Sequence, residues 1–257
     1  MRIKENFIAY QTILLNEVKR TIRLWSQTIL PPAMTSALYF LIFGQLMGER
    51  IGQMSGLPYI DFIVPGLIIM NMLTASYNAS VFVLYMAKFN RSIEELLVSP
   101  TSTMTILIAY MSVGIMRGLL VGIMVAIVAK IFTGFTVDMP WFMIFVAVIS
   151  CGLFSLLGVL NAMYAKTFDQ VSIIPTFVIG PLSYLGGIFY SLSILPPFWA
   201  HVALFNPLVY IISSFRYAFY GIHDTSILLS VSTIVILFVI LFMMNLRLIK
   251  KRIGFSD

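Results

Sequence analysis

Charge is scarce in this sequence. Asp, Glu, Lys and Arg supply 10% of its 257 residues while 60% are apolar, against roughly 25% charged residues in a soluble globular domain. So little charge cannot cover an aqueous surface, and the composition selects lipid as the solvent for most of the chain. Cysteine is reduced to Cys151, inside an apolar run, which excludes an intrachain disulfide and leaves a small packing residue. The two histidines, His201 and His223, have no Cys or Glu at ligand spacing, so no metal site is expected.

Several signatures of chemistry are missing as well. No G-x-x-x-x-G-K-[ST] loop occurs, so the chain holds no phosphate cradle of the P-loop kind and energy for pumping must come from elsewhere. There is no H-E-x-x-H, no G-x-S-x-G and no intramembrane carboxylate pair, which makes an intramembrane enzyme the weakest functional class. An ion-coupled secondary transporter is the alternative, but it usually places ionisable groups at the midplane. Apart from Arg117, the nearest candidate here is Asp61, at a span edge. The net charge of +6 forms no stripe with interleaved aromatics, which argues against nucleic acid. The first 25 residues lack a continuous apolar region before a small-residue cleavage site, so no cleaved signal peptide is expected.

What is present is a succession of apolar runs. Residues 5–25 place Phe7, Tyr10, Leu14, Val18, Ile22 and Trp25 at helical spacing opposite Glu17, Lys19, Arg20 and Arg23. That pattern predicts an amphipathic helix lying in the headgroup plane or packed on a soluble partner. Six spans follow at 29–47, 62–86, 106–132, 141–164, 171–190 and 226–246, giving an all-α polytopic fold. The first is entered through Pro31 and Pro32, which a first helical turn tolerates. The second carries Asn71, Ser76, Asn78 and Ser80 at hydrocarbon depth, where polar side chains face a bundle interior. In the third, Gly114, Gly118 and Gly122 clear a stripe for close helix approach, and Arg117 is either a functional group or a structural partner. The fifth is broken by Pro175, Gly180, Pro181, Gly186 and Gly187, which predicts a kinked helix facing the interior.

Two segments between spans stand out. Residues 91–98 form a short two-faced helix, with Ser92 and Glu95 at capping-box spacing and Ile93, Leu96 and Leu97 on one edge; Thr167 and Gln170 repeat that spacing. Residues 196–221 are apolar and aromatic but cut at Pro196-Pro197 and Asn206-Pro207 into pieces too short to cross a core of about 30 Å. They read as a re-entrant or interfacial helical hairpin between the fifth and sixth spans. With both termini inside, the inner segments hold Arg2, Lys4, Lys19, Arg20, Arg23, Lys88, Arg91, Lys166, Arg247, Lys250, Lys251 and Arg252, while only Arg50, Lys130 and Arg216 lie outside. The positive-inside rule favours this orientation, and a seventh span would export the basic tail.

Three stretches resemble the permease subunits of type-2 ATP-binding-cassette exporters, and the likeness runs in order over essentially the whole chain. They are Phe62-Ile63-Val64-Pro65-Gly66-Leu67-Ile68, Arg91 to Pro100, and Asn206-Pro207-Leu208-Val209-Tyr210 continuing to Phe215-Arg216 and Gly221. The likeness is nearest to the bacterial drug-resistance, nodulation-factor and polysaccharide export group. It implies a homodimer in the bacterial cytoplasmic membrane, bound to two copies of a separate ATPase subunit that holds ATP and Mg, with no cofactor on this chain. It implies that Lys19, Arg20 and Arg23 belong to an interfacial helix, and that Arg91, Ser92, Glu94, Glu95, Leu96 and Leu97 form the helix that couples to the ATPase. The 196–221 hairpin, with Asn206, Pro207 and Arg216, would be an external gate. Asn71, Asn78, Arg117, Pro181, Tyr184 and Tyr190 would line the path of an amphiphilic, lipid-linked, saccharide or drug-like substrate.

Overall fold

The computed structural model describes residues 2–254, without the side chains of Arg2, Ile3, Gln45 and Glu49, so the side chain of the Arg2 member of the predicted basic cluster lies outside what is described. Among the described residues, four helices are long and apolar enough to cross a membrane unbroken: α5 (Tyr59–Phe89), α7 (Thr103–Phe132), α8 (Pro140–Tyr164) and α13 (Ile227–Lys250). Their outer faces expose large apolar residues, among them Ile123, Ile127 and Ile131 on α7 and Ile236, Val239 and Ile240 on α13. Only lipid or another subunit can cover such a surface. The helices are packed α5 against α7 and α8, with α13 behind α8.

The apolar runs at 29–47 and 171–190 are helical but interrupted. In the first, α1 (Arg2–Arg23) leads through a one-turn α2 (Trp25–Thr28) to α3 (Leu30–Tyr39), which continues as a π-helical segment, Phe40–Leu46. In the second, α9 (Phe168–Ile174) passes through a π-helical segment, Pro175–Ile179, into α10 (Gly180–Tyr184). Pro31, Pro32 and Pro181 all sit where a helical turn begins and no intrahelical amide bond is lost. Each broken helix holds about 17 residues, the short end of what crosses a hydrocarbon core. By length and composition the structure therefore has four spans, or five with the bent pair described next. A count of six requires both broken helices to cross and the bent pair not to.

That bent pair is α11 (Pro197–Ala203) and α12 (Pro207–Tyr220), whose axes turn through 88° at the Asn206-Pro207 break. Between the π segment and α5, the predicted loop contains a single turn, α4 (Gly48–Ile51), and a two-residue hairpin of β1 (Gln53–Met54) and β2 (Leu57–Pro58). Its turn residues Ser55 and Gly56 both have positive φ, the pairing that matches the right-handed twist of two strands.

Helix α1 is not an isolated surface helix. Asn6 accepts from the Ser102 amide at 2.8 Å, Tyr10 donates to Ser112 at 3.2 Å and Thr21 accepts from Arg117 at 3.2 Å. The partners advance in the same direction along both helices, so α1 runs beside the first half of α7. Phe7, Ile8, Leu15 and Ile22 remain exposed on its outer side.

The centre of the bundle is held at backbone distance. Ser80 and Ser155 share a hydrogen bond of 2.6 Å, and Ser76 donates to the Cys151 carbonyl at 2.6 Å. Gly118 faces α5 so closely that a Cβ there would stand 2.9 Å from the Met72 carbonyl oxygen and 2.8 Å from the Cys151 sulfur. Gly114 and Gly122 lie on the same stripe, so the predicted close approach is the one that joins α7 to α5 and α8. Replacing Gly118 by Val is expected to cost about 2 kcal/mol through overpacking against a backbone that cannot retreat. The measurement is thermal unfolding in detergent, with Gly134→Val, at a site open to solvent, as the silent comparison.

Candidate functional site

The polar chemistry gathers at the two ends of the bundle. At one end lie the C-termini of α5, α8 and α13 and the short helix α6 (Ser92–Val98). Lys88 caps the end of α8 by donating to the carbonyls of Ala162, Met163 and Ala165 at 3.0, 2.8 and 3.2 Å, where the helix macrodipole favours a cation. Three residues later the chain turns sharply through Arg91, whose φ of 58° is left-handed. Helix α6 follows with Ile93 buried, Leu96 and Leu97 half-buried, and Arg91, Ser92, Glu94, Glu95 and Val98 exposed. A cavity of about 440 Å³ opens beside it, lined by Tyr85, Lys88, Arg91, Glu94, Tyr164 and Lys166 among others.

The expected capping box at Ser92 is not formed. Because Arg91 occupies the cap position, Ser92 is already the first helical residue, and its hydroxyl turns back to the Ala87 carbonyl at 3.2 Å. The second box is not formed either: Thr167 makes no side-chain cap, and Gln170 accepts at 2.8 Å from the amide of Lys166, one residue before the cap. A cap the spacing did not suggest is made by Ser102, which accepts from the Thr105 amide at 3.1 Å and starts α7.

At the opposite end a buried ion pair links α12 to the residues that follow it. Arg216 on α12 is 1% exposed and donates to Asp224 at 2.7 Å and to the Gly187 carbonyl at 2.7 Å. Its guanidinium lies 3.8 Å from the centre of the Phe62 ring, a cation–π contact strengthened by desolvation. Asp224 also accepts from Ser191 at 2.5 Å, and Ser213 accepts from the Asp224 and Thr225 amides. Asn206 caps α12 through the Leu208 amide at 3.0 Å and donates to the Leu182 carbonyl on α10 at 2.6 Å. Pro207 takes the first turn of α12. Arg216 is thus a paired, buried charge.

The residues expected along a path are not one constellation. Asn71 donates to Ser36 on α3 at 3.2 Å and to the Leu67 carbonyl at 2.8 Å. Asn78 is half-buried, seven residues on and so on the same face of α5. Pro181 and Tyr184 are exposed on α10, and Tyr190 is half-buried with its hydroxyl unpaired among the described residues. Tyr184 stacks on Phe189 at 6.3 Å, and Phe189 meets Phe43 at 5.0 Å and Tyr39 at 5.7 Å. Tyr39 and Phe43 stand one turn apart and half-buried, and no sequence spacing relates them to Tyr184 and Phe189. Arg117 lies apart from these residues. It faces α1, where Glu17 lies 3.9 Å away and also pairs with Arg20 at 3.5 Å; Lys19 and Arg23 stay exposed. The structure therefore gives Arg117 a partner on α1 in place of a position on the α5 polar face. His201 bonds the Pro197 carbonyl and His223 packs against Tyr217.

These features define a polytopic all-α membrane protein with a short amphipathic helix at its basic end. Residues 8–220 match the family model described as ABC-2 type transporter. The chain is 45% identical over 248 residues to the Inner membrane transport permease YadH of Escherichia coli (strain K12), covering 96% of this chain and 97% of that protein. It is also similar to Nodulation protein J of Rhizobium leguminosarum bv. viciae, at 23% identity over 84% of each chain. Nodulation protein J of Rhizobium meliloti (strain 1021) is 22% identical over 84% of this chain and 83% of its own length. The chain belongs to the ABC-2 type transporter family. It is the membrane permease subunit of such a transporter and not itself an enzyme, and the family implies a separate ATP-hydrolysing subunit.

The buried pair at the hairpin generates a test. Asp224→Asn leaves an uncompensated guanidinium in the interior and is expected to cost about 3–5 kcal/mol, whereas Arg216→Met with Asp224→Leu, which removes both charges, should cost less. Thermal unfolding of the single and double variants reads the difference; equal losses would show that charge burial is not what sets the cost.

Proposed function

We propose that two copies of this chain form the membrane path of an exporter in the bacterial cytoplasmic membrane, driven by two copies of a separate ATPase subunit that binds ATP and Mg. The basic end faces the cytoplasm, with both termini there, and α6 is the helix that receives the ATPase. The orientation is supported by the concentration of Lys88, Arg91, Lys166, Arg247, Lys250, Lys251 and Arg252 at that end. The two broken helices count as spans, giving six, and α11 with α12 is an external re-entrant hairpin that gates the exit. Support for re-entry comes from the 88° bend and from the short pieces on either side of it.

The observation that carries this reading is the pairing of family membership with an exposed two-faced helix at the basic end of a chain lacking any P-loop. A helix with apolar residues seated on the bundle and carboxylates facing outward can pass rigid-body motion from a soluble partner to α5. The cargo is an amphiphilic, lipid-linked, saccharide or drug-like molecule. The α5 face bearing Asn71 and Asn78 and the aromatic group at Tyr184 offer it both amide and ring contacts.

A soluble P-loop protein encoded beside this chain is expected to co-purify with it; no retained ATPase would overturn the assignment. Charge reversal at Glu94 and Glu95 is expected to lower ATP turnover in the reconstituted complex by about tenfold or more. Membrane insertion, read by protease accessibility, should stay unchanged.

A further inference from the structure

The segment after α13 does not end as a loose basic tail. The Lys251 amide bonds the Arg247 carbonyl at 3.0 Å, the Arg252 amide bonds Ile249 at 3.0 Å, and the Ile253 amide bonds Leu248 at 3.1 Å. Arg252 and Gly254 then turn the chain with φ of 56° and 82°. Gly254 packs so closely on the end of α8 that a Cβ would overlap the Met163 carbonyl, and it lines the cavity beside α6. From this position the Arg252 guanidinium donates to the Leu97 carbonyl at 3.3 Å, at the C-terminal end of α6. Ile249 is buried beneath, while Lys250, Lys251 and Arg252 are exposed.

We infer that residues 250–254 and α6 form one composite docking surface, and that the tail fits a carboxylate-bearing face of the ATPase subunit. This rests on the reading of α6 as the ATPase contact and extends it to a second chain segment. Three observations converge. The tail is bonded to α6 itself, so the two segments present a continuous surface. Charge is divided across that surface: Glu94 and Glu95 lie on α6, while Lys250, Lys251 and Arg252 lie on the tail, with Arg91 and Lys166 at the cavity between them. Finally, Phe89 and Val98 stand 74% and 79% exposed at the same end. An apolar recess rimmed by acidic groups would cover those two side chains and meet the tail cations together.

A topology signal needs only the charge of the tail, not its folded-back backbone, its left-handed turn or its bond to Leu97. The same segment also links α13 to α6, so a push on α6 reaches α13 as well as α5.

The test uses the full chain co-expressed with its ATPase. Lys250→Gln, Lys251→Gln and Arg252→Gln are combined, leaving Arg247 to hold the tail inside. ATPase retained per permease is measured from low to high salt in detergent and in vesicles with and without anionic lipid. The expected result is a loss of about fivefold or more in retained ATPase at physiological salt, together with a flatter salt dependence than the unaltered complex shows. A tail with only a structural role would change thermal stability without flattening that dependence. Retention unchanged by the tail variant but abolished by charge reversal at Glu94 and Glu95 would overturn this inference and leave the α6 reading standing. An effect confined to vesicles with anionic lipid would assign the tail to the membrane surface and likewise overturn it. If the unaltered chain retains no ATPase at all, the underlying reading fails.

Discussion

The approach of α7 and α8 to α5 at carbonyl distance is the constraint from which the other elements take their places. In lipid, helices gain nothing from hiding apolar side chains from one another, so association depends on close packing and on hydrogen bonds between them. Here both occur at the same spots: the glycine stripe of α7 removes the side chains that would hold it away, and Ser76, Ser80 and Ser155 occupy the space with hydroxyls that reach a partner. The remaining pieces add a few polar attachments to this trio. Helix α1 is fixed through Arg117 and Ser112, α13 through the Asn245 side chain on the Leu156 carbonyl at 3.2 Å, and α3 through Ser36 on Asn71.

Much of this order was legible in the residues because it depends on local rules. Apolar run length, prolines at helix starts and glycines repeated every four residues give the long helices, their ends and the seam between them. The bend at Asn206-Pro207 is legible for the same reason, since the amide cap and the proline act on adjacent residues. What was not legible depends on which surfaces meet. Ser92 has the spacing for a cap but lost the position to Arg91, because the tight turn from α5 brings helical geometry one residue early. Arg117 could be recognised as costly in lipid, yet its partner Glu17 lies in another helix and no spacing relates them. The aromatic group of Tyr39, Phe43, Tyr184 and Phe189 forms where two interrupted helices adjoin, and an interruption with π geometry has no simple signature.

Three buried or half-buried cations follow one pattern. Each is matched by something nearby: Arg117 by Glu17 and Thr21, Lys88 by the carbonyls at the end of α8, Arg216 by Asp224. Desolvating an ion is tolerable only with such compensation. The matches differ in kind, however. The first joins two separate helices and the second joins two spans, so each fastens elements that would otherwise slide past one another.

The third match joins a helix to the few residues that follow it. Arg216 and Asp224 belong to the same short stretch, on either side of the Gly221 turn. The hairpin thus travels with its own counterion, as an electrically neutral body. Displacing it from the bundle separates no opposite charges; it gives up the Gly187 and Leu182 carbonyls, the Ser191 hydroxyl and the face of the Phe62 ring. With that pair kept inside one stretch, the buried faces of Leu208, Ile211, Ile212, Phe215 and Phe219 and these polar contacts, rather than a charge-to-charge bond, are what fasten α12 to the bundle.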